Sequence, residues 1–209
     1  MCAGTADHLR RVGEKPDRSD GWRGEAYLGH MEAKRIYIVG YMGAGKSTSG
    51  RRLAAMMDLP FFDTDEEIRR VTRRSVTALF EKEGEAAFRI REKAVLEDLT
   101  EQHPRALIST GGGTPCHGDN MDYMREHGIV VYLQMTPENL LRRLKGRADE
   151  RPLIAGVSED ALPGFIAEHL AEREPHYRRA HMTVAADHLD GDRMKSIRNL
   201  LEGRTWVSP

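Results

Sequence analysis

Cysteine is almost absent. The 209 residues carry two, Cys2 and Cys116, with no partner spacing that suggests a zinc site, and that usage fits a reducing cytoplasm. Long hydrophobic runs are missing as well: the longest, such as Ile129 to Leu133, are far too short to span a bilayer. The N-terminus shows no apolar core of a signal peptide. Nor does one charge dominate. Lys and Arg number 32 against 33 Asp and Glu, a net charge of −1, which removes any global argument for nucleic acid or an anionic membrane as partner. Basic residues must therefore be judged locally. What remains is a chain of the size that forms one domain and buries its own core without metals or disulfides.

Against these absences stands one unbroken pattern, Gly40-Tyr41-Met42-Gly43-Ala44-Gly45-Lys46-Ser47-Thr48, which matches the phosphate-loop form G-x-x-x-x-G-K-[ST]. The glycines let the backbone turn so that successive N–H groups face an anion. Lys46 supplies a point charge for β- and γ-phosphates, and the Ser47 hydroxyl is placed to ligate Mg²⁺. The run Ile36 to Val39 reads as a buried strand before the loop, and Leu53, Met56 and Met57 read as a helix after it. Nucleotide binding through Gly43, Ala44, Gly45, Lys46, Ser47 and Thr48 is the expectation.

Along the rest of the chain, residues 1–33 lack apolar periodicity and read as a disordered or loosely docked extension, with Met31 an alternative start. Pro60 to Phe62 is a second strand ending in Asp63-Thr64-Asp65, followed by a charged helix through Arg74, a short one over Val76 to Glu83 and a long one from Glu85 to about Gln102. Leu107 to Ser109 is a third strand, stopped by Gly111-Gly112-Gly113. A helix over Asn120 to Glu126 precedes a fourth strand, Val130 to Leu133, whose continuous apolar run suits a parallel sheet covered on both faces. A helix over Pro137 to Lys145 leads into a polar stretch with the character of a mobile loop. Ser158 to Arg179 is mostly helical, Met182 to Val184 a fifth strand, and Arg193 to Leu201 a closing helix. Strands alternating with helices predict an α/β fold with a parallel sheet, and ligands beyond the carboxyl ends of its strands. By themselves the later features have plain readings: Asp63 and Asp65 as a helix cap and a solvated Asp, Arg89 and Glu92 as an exposed ion pair, Phe80 and Phe88 as core, the three glycines as a turn, Arg173 as a surface ion pair between two glutamates, and Arg142, Arg143, Lys145, Arg147 and Arg151 as a solvated basic loop.

Taken together and in order, the phosphate loop, Asp63-Thr64-Asp65, Phe88-Arg89-Ile90-Arg91-Glu92, Gly111-Gly112-Gly113, Arg151-Pro152-Leu153-Ile154 and Glu172 to Tyr177 resemble the shikimate kinase family across about Lys34 to Leu201. The resemblance implies a three-layer α/β/α P-loop kinase fold with a central five-stranded parallel sheet, a lid over about 146–156 and an acceptor-binding helical segment over about 64–93, within a domain of 34–203 followed by a tail of 204–209. It implies that Asp63 joins Ser47 around Mg²⁺, Asp65 binds acceptor hydroxyls and is the candidate base, and Arg89, oriented by Glu92, clamps the acceptor carboxylate together with Arg173. Gly111 to Gly113 contact acceptor hydroxyls. Phe80 and Phe88 stand beside the acceptor ring, Arg151 swings over the γ-phosphate, and Arg143 or Arg147 stacks on adenine. The implied reaction is phosphoryl transfer from ATP to the 3-hydroxyl of shikimate by a cytoplasmic enzyme, as a rule monomeric, with Lys46, Asp65 and Arg151 as catalytic residues and no nucleic acid or membrane partner.

Two other readings compete. A related kinase acting on another hydroxy acid, such as gluconate, would keep the loop without the set formed by Arg89, Glu92, Arg173 and the glycines. A nucleotide-binding module without turnover is disfavoured by Lys46, Ser47, Asp63, Asp65 and Arg151. No N-K-x-D or T-K-x-D follows the loop, which argues against a GTPase switch.

Overall fold

A computed structural model describes residues 35–145, 153–154 and 156–203. The expected extension 1–33, the tail 204–209 and most of the expected lid, with Arg147 and Arg151, lie outside the described residues. Five strands form one sheet: β1 (Arg35–Val39), β2 (Phe61–Asp63), β3 (Ala106–Ser109), β4 (Ile129–Gln134) and β5 (Met182–Ala185). All pair in parallel in the order β2-β3-β1-β4-β5. Ile36 to Val39, Ala106 to Ile108 and Val130 to Leu133 are buried throughout, the burial that a parallel sheet imposes on its inner strands when helices cover both faces.

The helices are α1 (Lys46–Met56), α2 (Thr64–Thr72), α3 (Val76–Gln102), α4 (Asn120–His127), α5 (Pro137–Leu144), α6 (Leu162–Tyr177) and α7 (Gly191–Glu202). Several start where a side-chain oxygen takes an otherwise unpaired N–H: Asp63 for α2, Ser75 for α3, Thr136 for α5 and Asp190 for α7. None of the described helices is long and apolar enough to cross a membrane.

The expected elements are all present, with some helix ends shifted and one short turn added. The charged helix α2 stops at Thr72 rather than Arg74, because Arg73 turns left-handed at φ 58°. The short and long helices expected on either side of Gly84 are both present as the two segments of α3, which meet at a kink where Gly84 is non-helical at φ 79°, ψ 168°. α6 begins at Leu162, four residues later than expected. Ser158 to Ala161 form a turn in which the Ser158 carbonyl accepts from both Ala161 and Leu162, and Pro163 occupies the first turn, where its missing N–H costs nothing. A 3₁₀ turn over Thr114–Cys116, with Pro115 inside it, follows the triple glycine and was not expected.

This topology positions the site. From β1 the chain runs outward to β2 and returns to β3 on one side, then passes to β4 and β5 on the other. The phosphate loop after β1, Asp63 at the end of β2 and the glycines after β3 are therefore neighbours at the carboxyl edge of the sheet.

Candidate active site

Two clefts meet at that edge. The first has a volume of about 600 Å³ and is walled by Gly43, Gly45, Lys46, Ser47, Thr48, Asp63 and residues of α5 that include Arg142 and Arg143. Gly45 holds φ 89° as the N-cap of α1, a conformation that L side chains rarely adopt, so the N-terminus of α1 opens directly onto the cleft. Lys46 is buried, and its ammonium donates to the Tyr41 carbonyl at 3.0 Å. Ser47 Oγ donates to Asp63 Oδ2 at 2.6 Å. The other Asp63 oxygen, Oδ1, accepts from the N–H groups of Asp65 and Glu66 at 3.1 and 3.3 Å. One Asp63 oxygen thus caps α2 while the other reaches across to the phosphate loop.

The Ser47 hydroxyl and Asp63 carboxylate are hard oxygen donors brought together on the phosphate side. That is the donor set a magnesium ion takes when phosphates and water complete its shell. Among the described residues no group of three or more His, Cys, Asp or Glu side chains is placed to hold a metal without such help.

Arg143 reaches over the loop, donating to the Gly43 carbonyl at 3.2 Å, and its Nη1 stands 3.0 Å from where a Cβ on Gly45 would be. Ala44, the remaining residue of the expected nucleotide-binding set, lies inside the turn. It is buried, its N–H donates to the Tyr41 carbonyl at 3.2 Å, and it is not among the residues walling the cleft, because this peptide closes the turn that shapes the loop.

The second cleft, about 90 Å³, is smaller and differently made. Its wall brings together Asp65, Arg89, Glu92, Gly111, Gly112, Gly113 and Arg173, with Phe80 and Phe88 along one side. Every acceptor residue expected from the sequence is there. Arg89 and Glu92 are not an exposed pair: Glu92 is 1% exposed and takes Arg89 Nη1 at 2.8 Å on one oxygen and the Thr114 hydroxyl at 2.6 Å on the other. Burial works to lower the pKa of the Arg89 guanidinium, but Glu92 and then Glu85 outweigh it and hold the group above its ordinary range. Phe80 and Phe88 pack with their rings tilted by 36° at 4.4 Å between centroids, and the guanidinium carbon of Arg89 lies 5.6 and 5.4 Å from their centroids. The fork is thereby held from three sides.

The glycines are there because these side chains leave no room. A Cβ on Gly113 would stand 2.6 Å from Arg89 Nη1, and one on Gly111 would stand 2.5 Å from Glu92 Oε1 and 3.1 Å from Asp65 Oδ1. Arg173 does not behave as a simple surface ion pair with its neighbours. The Glu174 carboxylate is engaged by Arg178 and Gln134, and Arg173 turns to the cleft.

Met42, Asp65 and Gly112 line both clefts. Two features escaped the sequence reading. Thr114 fixes Glu92 from the 3₁₀ turn, and its only signal was its place one residue beyond the triple glycine. Tyr41, inside the loop, bonds through its hydroxyl to His169 Nδ1 at 2.8 Å, tying the phosphate loop to α6. Burial pushes the Tyr41 phenol up to about 12 against the opposing charge of Arg173.

A parallel α/β sheet with a phosphate loop after its central strand, a basic helix over that loop and a second cleft sharing its wall defines a P-loop kinase. A family model for shikimate kinase matches residues 42–202. The shikimate kinase of Parabacteroides distasonis is 43% identical over 154 residues, 74% of this chain and 88% of the relative. That of Bacteroides fragilis is 42% identical over 156 residues, 75% and 87% of the two chains. Among solved structures, shikimate kinase from Bacteroides thetaiotaomicron superposes with a TM-score of 0.73 at 39% identity, covering 81% of this chain and 96% of the other. Shikimate kinase from Acinetobacter baumannii in complex with shikimate gives 0.69 at 36% identity over 81% and 90%. The chain belongs to the shikimate kinase family.

Proposed function

We propose that this chain transfers the γ-phosphoryl group of ATP to the 3-hydroxyl of shikimate, giving shikimate 3-phosphate and ADP on the route to chorismate and the aromatic amino acids. The observation that carries the reading is the shared wall. A cleft built for phosphates and a cleft holding two arginines meet at Met42, Asp65 and Gly112, so donor and acceptor face one another. A guanidinium fork locked by a buried carboxylate suits a planar carboxylate ligand, which favours an acidic acceptor over a neutral sugar. The Acinetobacter baumannii relative solved with shikimate supports that choice.

Catalysis is positioning and charge neutralisation. Lys46, released from the Tyr41 carbonyl, pairs with the β- and γ-phosphates, the loop N–H groups hold the phosphate oxygens, and Arg151 closes over the transferred group to exclude water. Asp65, on the shared wall, aligns the acceptor hydroxyl and takes its proton or its hydrogen bond. Ser47 and Asp63 would hold magnesium, which when bound neutralises charge on the phosphates. Arg89 and Arg173 fix the acceptor carboxylate, and Arg143 lies along the nucleotide side. The enzyme acts as a cytoplasmic monomer.

ADP release coupled to a reporter, with MgATP and shikimate, gluconate or no acceptor, tests the reading. Release that requires shikimate is expected. Release with gluconate alone would refute the carboxylate-clamp argument for shikimate while keeping the kinase, and ATP binding without release would favour a regulatory module.

A further inference from the structure

Tyr177 is the last residue of α6 and is fully buried. Its ring packs 5.2 Å from that of Tyr132, and its hydroxyl donates to the Gly112 carbonyl at 2.6 Å across 65 positions of sequence. Burial drives the phenol above its ordinary pKa, Cys116 adds to that and Arg173 opposes it, so the hydroxyl keeps its proton and serves as a donor. Arg173, one helical turn earlier, acts on this same hydroxyl.

The Gly112–Gly113 peptide is trans, as are all the described peptides, and planar, so its C=O and N–H point in opposite directions. Holding the Gly112 oxygen on Tyr177 therefore turns the Gly113 N–H away from α6. Gly113 lies on the wall of the second cleft, and among the described residues no backbone carbonyl takes its N–H. Two glycines in succession do not fix that plane unaided.

We propose that Tyr177 is a positioning residue: its hydroxyl locks the Gly112–Gly113 peptide so that the Gly113 N–H faces the second cleft and donates to an oxygen of the acceptor. The proposal rests on reading that cleft as the shikimate site. Tyr177 touches neither substrate. It sets the direction of a backbone donor and the seat of Arg173 from one point.

Tyr177→Phe keeps the ring and removes the clamp. Loss of one well-aligned hydrogen bond predicts a KM for shikimate raised about tenfold with the KM for ATP within about twofold of the wild type. A variant that is less heat-stable but has both KM values unchanged would make Tyr177 merely structural and overturn the proposal. Amide NMR of the wild-type protein gives a readout independent of how the variant folds. The Gly113 amide proton is expected to move downfield when shikimate is added in the absence of nucleotide, and an unmoved Gly113 resonance would overturn the proposal. Wild-type protein that neither binds nor phosphorylates shikimate would remove the acceptor reading and this proposal together. An unchanged variant beside an active wild type would remove this proposal alone.

Discussion

The phosphate cleft and the acceptor cleft share a wall but are made of different material. The first is largely backbone: a tight turn, glycines at positive φ (Gly40, Gly43 and Gly45) and the start of α1, with Lys46 and Ser47 as the first two residues of that helix. The second is a network of side chains from α2, α3, α6 and the turn after β3, in which Asp65, Arg89, Glu92, Thr114 and Arg173 come from distant parts of the chain. A backbone site is local, so its parts are fixed once the turn forms. A side-chain site depends on several elements packing correctly, and each member holds its neighbour. Substitutions should therefore act differently on the two sides: on the phosphate side they remove chemistry, on the acceptor side they also remove structure.

The largest effect is expected at Lys46. Lys46→Ala should lower kcat by about 1,000-fold or more with little change in thermal midpoint, and turnover like that of the wild type would refute the phosphate-loop reading. Asp65→Asn comes next, with kcat reduced about 100-fold and ATP affinity, measured by titration, nearly unchanged; an unaltered kcat would remove Asp65 from the reaction. Glu92→Gln should show the acceptor side's double dependence, costing about 2–3 kcal/mol of stability in denaturant unfolding because a buried charged pair is broken and raising the KM for shikimate. If stability is lost and KM is not, the network is structural only. Arg173→Ala should raise the same KM by about tenfold while sparing stability, since its partners are not buried charges.

The smallest effect concerns pH. His117 and His169 are both held below their ordinary pKa of 6.5, chiefly by burial and then by Arg89 and Arg173 respectively. A depressed histidine binds its proton more readily unfolded than folded, so the stability it contributes is present above 6.5 and is lost as pH falls through the lower folded value. The carboxylates held low, among them Glu67, Glu85, Asp187 and Asp190, act in the same direction but only in a more acid range. A fall in thermal midpoint between pH 7.5 and 5.5, smaller in His169→Gln, is expected; a flat profile there would contradict it.

The same contrast explains what the sequence made legible. A contiguous motif carries a backbone site almost whole, so Gly43, Gly45, Lys46, Ser47 and Thr48 could be placed from spacing, and the strands from their apolar runs. That the Ala44 N–H bonds the Tyr41 carbonyl was not legible, because which amide closes the turn is a matter of three-dimensional geometry. On the acceptor side, Arg89 and Glu92 alone read as a solvated pair, and only their order among the other motifs gave them a role. The buried Glu92 is bonded by Thr114, which approaches from 22 residues away and carries no periodic signal. Helix ends went astray where a single residue decides them, as Arg73 and Pro163 do.

Met42, Asp65 and Gly112 belong to both clefts, and this bears on how such an enzyme can change. A protein whose two substrates sit in separate pockets can adapt to a new acceptor while its nucleotide preference stays as inherited. Here a substitution on the common partition alters both preferences at once. Drift towards another acceptor is therefore channelled to the far side of the second cleft, around Val76, Phe80 and Leu153, where relatives with new tastes should carry their differences.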